Sequence, residues 1–209
     1  MLRKVKEFFT HEDKNLRDDR WIFASMLVGA ILSLIASFVL SVEAVELARN
    51  ADAVLSCNFN AILNCATVGN HPSSYMFGFP NSFLGLIAEP VVITVAIAGL
   101  SRIKFPRAFM FAAQIGYTLG FLFALVLFYI SYNIIGALCP WCLLVTATTT
   151  FVWFAITRYN IREGNLYLSR RASQIARDFV KRDYDKLLLI GIVVLLLVLI
   201  IVKYGAHLF

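Results

Sequence analysis

Five stretches of this chain are apolar over a length that matches a lipid bilayer: Trp21 to Val42, Ser82 to Leu100, Ala108 to Ile130, Cys139 to Thr157 and Leu187 to Val202. A helix needs roughly 20 residues to cross the hydrocarbon core. The last stretch is short, but Lys203 can snorkel and Tyr204 can sit at the interface, so it too reads as a crossing. Backbone polar groups inside lipid must be paired within their own segment, which makes the spans helices. Composition agrees, since 60% of the 209 residues are hydrophobic and only 15% are charged, outside the range of a soluble domain. The expected class is an all-α integral membrane protein, a four-helix transmembrane bundle with a fifth transmembrane helix.

The basic residues give the orientation. Six precede the first span (Arg3, Lys4, Lys6, Lys14, Arg17, Arg20), three lie between the second and third (Arg102, Lys104, Arg107), and eight lie between the fourth and fifth. Arg49 and Lys203 are the two on the opposite side. An excess of Lys and Arg marks cytoplasmic loops. The reading is therefore a multi-pass plasma-membrane protein with a cytoplasmic amino terminus (1–20), a bundle over 21–157, a cytoplasmic basic linker (158–186), and a fifth helix with a short outer tail (187–209). In the linker, Leu168, Ala172, Ile175, Ala176 and Phe179 fall at helical spacing among arginines and lysines, the pattern of a helix lying in the membrane interface. The formal charge of +6 is accounted for by topology and lipid headgroups, so nucleic acid is not an expected partner. The first span is too long for an ordinary signal peptide and reads as a permanent helix.

All four cysteines fall on the extracytoplasmic side, where disulfides form and persist. Cys57 and Cys65 lie in the one long outer loop, 43–81, which opens with a helical-looking stretch from Glu43 to Leu55. Phe59, Ile62, Leu63, Met76, Phe77, Phe79 and Pro80 would let this loop cap the bundle, or else only anchor it in the interface. Cys139-Pro140-Trp141-Cys142 opens the fourth span. Two intervening residues put both sulfurs on one helical turn, the helix start favours a thiolate, and Pro140 suits a first turn. Exchange requires a thiolate in line with a disulfide sulfur. Cys139 is then expected to be the exposed, exchanging cysteine and Cys142 the deeper, membrane-facing one. Zinc competes for such motifs, but seven residues between Cys57 and Cys65 exceed the usual ligand spacing, and no metal is expected. Purely structural bridges are the other alternative. Against them, a bridge stabilises most when it closes a long loop, and Cys139 with Cys142 would close almost none.

Taken together, Cys57, Cys65, Phe77-Gly78, Asn81-Ser82 and Cys139-Pro-Trp-Cys142, in that order and spacing, resemble the vitamin K epoxide reductase family, particularly its bacterial disulfide-forming members. The likeness spans about Trp21 to Thr157. It implies a four-helix bundle around a quinone, menaquinone or ubiquinone, beneath the extracytoplasmic capping loop. By the same implication Cys57 accepts electrons from a reduced partner, Cys65 passes them to Cys139, Cys142 delivers them to the quinone, and Asn81 hydrogen-bonds a quinone carbonyl. The expected activity is that of a thiol-disulfide oxidoreductase supporting disulfide formation. The same cysteines would serve reduction of a quinone epoxide. Only Lys203 to Phe209 follow the fifth span, so the electron donor is expected to be a separate thioredoxin-fold thiol oxidase.

Vertebrate members of the family carry tyrosine where this chain has Thr146, a shorter hydroxyl for any quinone contact. Many members have Ser or Thr where this chain has His71, whose imidazole is either a general base near the thiols or an ordinary loop histidine. Glu89, before Pro90 in the second span, is an ionisable group at a costly depth: a proton source for quinone chemistry, or an acid lining a wet crevice. Gln114 and Tyr117 share a helical face and could line the same pocket or join helices. His11 and His207 lie near the termini and carry no argument.

Overall fold

A computed structural model describes residues 14–208, with the side chains of 16–205. Arg3, Lys4, Lys6, His11 and Phe209, and the side chain of His207, lie outside the described residues. The elements are α1 (Lys14–Arg49), α2 (Cys65–Gly69), a 3-10 turn (Pro72–Tyr75), α3 (Ser82–Leu100), α4 (Arg107–Ile130) continued by a π-turn (Ser131–Ile135), α5 (Pro140–Glu163), α6 (Arg170–Lys181) and α7 (Tyr184–Leu208). Five of these helices are long and apolar enough to cross a membrane. The molecule is an all-helical, multi-pass membrane bundle.

Helix ends depart from the apolar stretches because hydropathy marks where lipid is, not where hydrogen bonding stops. α1 runs past Val42 to Arg49, so the first turns of the expected loop continue the helix, and the helical-looking stretch stops short of Leu55. α5 runs past Thr157 to Glu163, where Gly164 ends it at φ 74°, the left-handed conformation glycine adopts without penalty. The fifth helix is longer than its apolar run at both ends. The linker helix is confined to Arg170–Lys181, with Ser169 Oγ accepting the Ala172 N–H. Its Ile175 and Phe179 are exposed, as an interfacial helix requires.

α1 is the hub, packing on both α3 and α5, and α4 packs on α5. Its buried stripe is Met26, Ala30, Ser33, Ser37 and Ser41, small residues at one face that let helices approach closely in lipid. A Cβ added to Gly85 would collide with the Ser37 side chain, and one on Gly99 with the Phe23 ring. α4 and α5 are clamped by Gln114, which donates to Thr157 Oγ1 (2.9 Å) and accepts from Asn160 Nδ2 (3.0 Å). By contrast α3 and α4 barely touch, and the space between them becomes the cavity described below.

α7 stands outside this bundle, against α5 and α6. It is fastened near one end by Arg158, which donates to both oxygens of Asp185 (2.8 and 2.7 Å) and to Asp183 (2.9 Å). Near the other end Tyr204 OH donates to Tyr132 O (3.0 Å), joined there by Lys203 Nζ. Between the two, Ile190, Val194, Leu197 and Ile201 are exposed.

Candidate active site

The segment from α1 to α3 folds over the end of the bundle by means of its asparagines. Asn60 Oδ1 accepts from the N–H groups of Ile62 and Leu63, Asn58 Oδ1 from Ala66, and Asn64 Oδ1 from Thr67 at the start of α2. Short amide side chains fold tight turns in this way. The resulting turn pairs with the entry to α5, where Leu138 N–H donates to Ile62 O (2.7 Å) and Asn64 N–H to Leu138 O (3.0 Å). Leu55, Cys57, Cys65 and Val68 pack beneath it with Leu47, Ala137 and Cys139. The loop is thus a cap, but through residues other than most of those expected. Phe59, Met76, Phe77 and Phe79 are all exposed, although the Phe77 ring meets Phe123 of α4 (5.4 Å between rings) and the Phe79 ring meets Phe83 of α3 (6.4 Å).

This strap sets one cysteine pair against the other. Cys57 and Cys65 form a disulfide with Cα atoms 5.6 Å apart, Cys139 and Cys142 are free, and Cys65 Sγ lies 3.1 Å from Cys139 Sγ. The sulfurs of Cys57, Cys65 and Cys139 all lie within 4.8 Å of one another. Cys139 is the residue preceding α5, and its sulfur accepts the Cys142 N–H (3.3 Å). The expectation of an exposed Cys139 above a deeper Cys142 is corrected: Cys139 is only 2% exposed because the strap covers it, and Cys142 is the half-buried one, open to a cavity. Cys139 is reachable by Cys65 in place of solvent.

The cavity measures about 580 Å³, within the span of roughly 300–1,000 Å³ typical of pockets for small organic ligands. Cys65, Cys139 and Cys142 line one end, and Glu89 and Tyr117 lie further along its wall. Gly116 and Gly120 of α4 line it as well, and a Cβ on either would meet nothing within 4 Å. The wall is otherwise largely aliphatic and aromatic.

The expected site residues sort unevenly. Asn81 lines the cavity, its Nδ2 donates to Ser73 O (2.7 Å), and its buried Oδ1 has no protein partner. Glu89 is 4% exposed on the same wall, accepts from Ser33 Oγ (2.8 Å) and Tyr117 OH (3.4 Å), and leaves Oε2 without a partner. Tyr117 therefore belongs to the cavity and Gln114 to the helix clamp. Thr146 lines the cavity, but its hydroxyl donates to Cys142 O (2.9 Å), so its proton is committed to the helix. His71 is corrected to a structural role: its Nδ1 accepts the Ser73 N–H (3.2 Å) at the start of the 3-10 turn and it does not line the cavity. Glu43 and Ser56 were missed. Ser56 Oγ donates to Glu43 Oε1 (2.7 Å), and the Glu43 carboxylate sits 3.4 Å from Cys57 Sγ. No local motif signals that pairing, because helix α1 carries Glu43 past the point where hydropathy ends.

With this geometry in hand, comparison with known families gives one match, to the profile described as the vitamin K epoxide reductase family, over residues 24–157. The chain belongs to that family. A search of curated proteins matched nothing. Vitamin K epoxide reductase family members are oxidoreductases, and the matched residues contain all four cysteines, Asn81 and Glu89, whereas α6 and α7 lie beyond them. The family works with quinones, and this cavity fits such a ligand: an apolar slot with a cysteine at one end and, on its wall, the Asn81 amide, which can donate to a quinone carbonyl, with two unpartnered oxygens, Asn81 Oδ1 and Glu89 Oε2, that can accept from quinol hydroxyls.

Proposed function

We propose that this protein is a quinone-dependent thiol-disulfide oxidoreductase of the plasma membrane, oxidising a separate thioredoxin-fold partner on the extracytoplasmic side and so supporting disulfide formation. The observation that carries the reading is the 3.1 Å approach of Cys65 Sγ to Cys139 Sγ, with Cys142 on the wall of an apolar cavity. A thiolate that close to a disulfide sulfur is placed for exchange. Two couples that meet sulfur to sulfur are an unneeded expense for a merely structural cross-link.

In the working direction the partner's dithiol opens Cys57–Cys65 and leaves oxidised. Cys65 attacks Cys139 of a closed Cys139–Cys142 bridge, releasing Cys142 as a thiolate on the cavity wall. Cys57 then attacks Cys65, re-forming Cys57–Cys65 and freeing Cys139. The arrangement of a closed Cys57–Cys65 with a free Cys139 beside it corresponds to the product of that second exchange. A quinone bound in the cavity supplies the two-electron sink. Asn81 would donate the second Nδ2 hydrogen to a quinone carbonyl, and its unpartnered Oδ1 would accept from the hydroxyl of the quinol. For a two-electron couple about 30 mV corresponds to about 1.4 kcal/mol, so a sink of higher potential keeps both bridges closed at rest.

The orientation belongs to the same reading. Basic residues gathered at the end of the bundle away from the cysteines support a cytoplasmic position for that end. The test mixes purified protein, quinone and a reduced thioredoxin-fold protein and follows quinone absorbance. Cys139→Ala and Cys142→Ala are expected to abolish turnover with any reductant. Cys57→Ala and Cys65→Ala should lose it with the protein partner and keep part of it with a small dithiol that enters the cavity and opens Cys139–Cys142 at Cys142. Equal loss in all four would contradict the division between loop and bundle cysteines, and wild-type protein no faster than a blank would sink the activity.

A further inference from the structure

Beside the relay sits a carboxylate that the relay, as described, does not use. Glu43 is 7% exposed, on the turns by which α1 outruns its apolar stretch. Its oxygens lie 3.4 and 3.5 Å from Cys57 Sγ, and Ser56 Oγ fixes one of them by a 2.7 Å hydrogen bond. No ion pair among the described residues neutralises it. A buried carboxylate with one neutral donor and no cation is a burden on the fold. Its place against a sulfur gives it a chemical use. The bonded Cys57 sulfur carries no hydrogen, so the two short contacts mark where an S–H proton would point once the bridge opens.

We infer that Glu43 is a catalytic base for Cys57, taking the thiol proton as that sulfur attacks Cys65. The inference rests on the relay proposed above and adds a residue to it. In the step concerned, Cys65 and Cys139 are joined as a mixed disulfide and Cys57 is a thiol. The S–H proton passes to the Glu43 carboxylate, the Cys57–Cys65 bond forms, the Cys65–Cys139 bond breaks, and Cys139 keeps the electron pair as a thiolate. One proton and one electron pair are accounted for, with no outside reagent. Glu43 also lines the cavity that holds Cys142 and Asn81, so the proton is captured on the wall where the electrons leave. Uncatalysed, Cys57 would depend on its own ionised fraction, a few per cent near neutral pH for a thiol of ordinary pKa.

Glu43→Gln keeps the shape and the acceptor for Ser56 but not the base. With the protein partner at neutral pH, turnover of E43Q should fall about 30-fold, the factor between a full thiolate and that ionised fraction. Acid-quenched thiol mapping during turnover should show the Cys65–Cys139 mixed disulfide accumulating in E43Q and not in wild type. Thermal unfolding of E43Q in detergent should match wild type and so report an intact fold. Raising the pH should restore E43Q, since the ionisable groups that meet Glu43 are the thiols of Cys57 and Cys142. Glu43→Asp, which keeps a carboxylate, should accumulate less of the mixed disulfide than E43Q. Wild-type turnover in E43Q, or a fall without that accumulation, overturns the role of Glu43 and leaves the relay standing. A wild type that reduces no quinone removes the relay itself, and the inference with it.

Discussion

Asn81 and Glu89 share a wall of the cavity and play different parts in it. Asn81 is tied by its amide nitrogen to Ser73 O, which aims the remaining amide surface inward. Asn81→Ala is expected to raise the KM for quinone about tenfold, the equivalent of about 1.4 kcal/mol, while exchange between Cys65 and Cys139, followed by thiol mapping, stays at its wild-type rate. Glu89 receives the Ser33 and Tyr117 hydroxyls. Glu89→Leu strands both donors and should lower stability by about 1–3 kcal/mol, whereas Glu89→Gln retains an acceptor and should lie close to wild type in thermal unfolding. The four cysteines and Asn81 were legible in the sequence because their order and spacing are themselves the signal. Glu43 was not, since nothing in a one-dimensional reading joins an acid near the end of one helix to a cysteine in the loop beyond. The burial of Cys139 was hidden for the same reason: it comes from the backbone pairing of its neighbour Leu138 with Leu63, a residue remote in the chain.

Among the elements, the gap between α3 and α4 has the most consequence for function. Gly116 and Gly120 lie on one face of α4, with nothing near where a side chain would begin. Small residues of that spacing ordinarily let two helices touch, yet here they enlarge a cavity. A leucine at Gly120 should therefore fold without a clash and occupy part of the 580 Å³. The expected outcome is a marked drop in quinone reduction with little change in unfolding temperature or in exchange from Cys65 to Cys139. The opposite holds at Gly99, where an added methyl meets the Phe23 ring. Gly99→Ala should lower stability by about 1–3 kcal/mol, the usual effect of overpacking a filled core, measured by thermal unfolding in detergent. Which helices exist was readable from hydropathy, since lipid demands a run of apolar residues. Which pairs pack and which stand apart was not, because hydropathy reports how apolar a span is and not which neighbour its faces meet.

At the scale of the whole molecule, charge is gathered at the end away from the cysteines. Asp183 is held below the usual aspartate range by its hydrogen bond from Lys186 and then by Arg158. A carboxylate whose folded pKa is depressed contributes stability above its unfolded value, about 4, and loses it as pH falls through the folded one. Asp183→Asn, which suits the positive φ of 58° there, should cost up to about 1 kcal/mol at neutral pH, a modest figure because the pair is exposed. The difference from wild type should narrow in unfolding scans as pH falls below the ordinary aspartate value of about 4. The two fastenings of α7, at Asp185 and at Tyr204, stand about 29 Å apart at 1.5 Å per residue. That is close to the thickness of a bilayer's oily interior. A rod pinned top and bottom acts as a gauge, so lipids with shorter or longer tails must stretch, thin or tip the whole assembly, since the rod cannot slide past its neighbours.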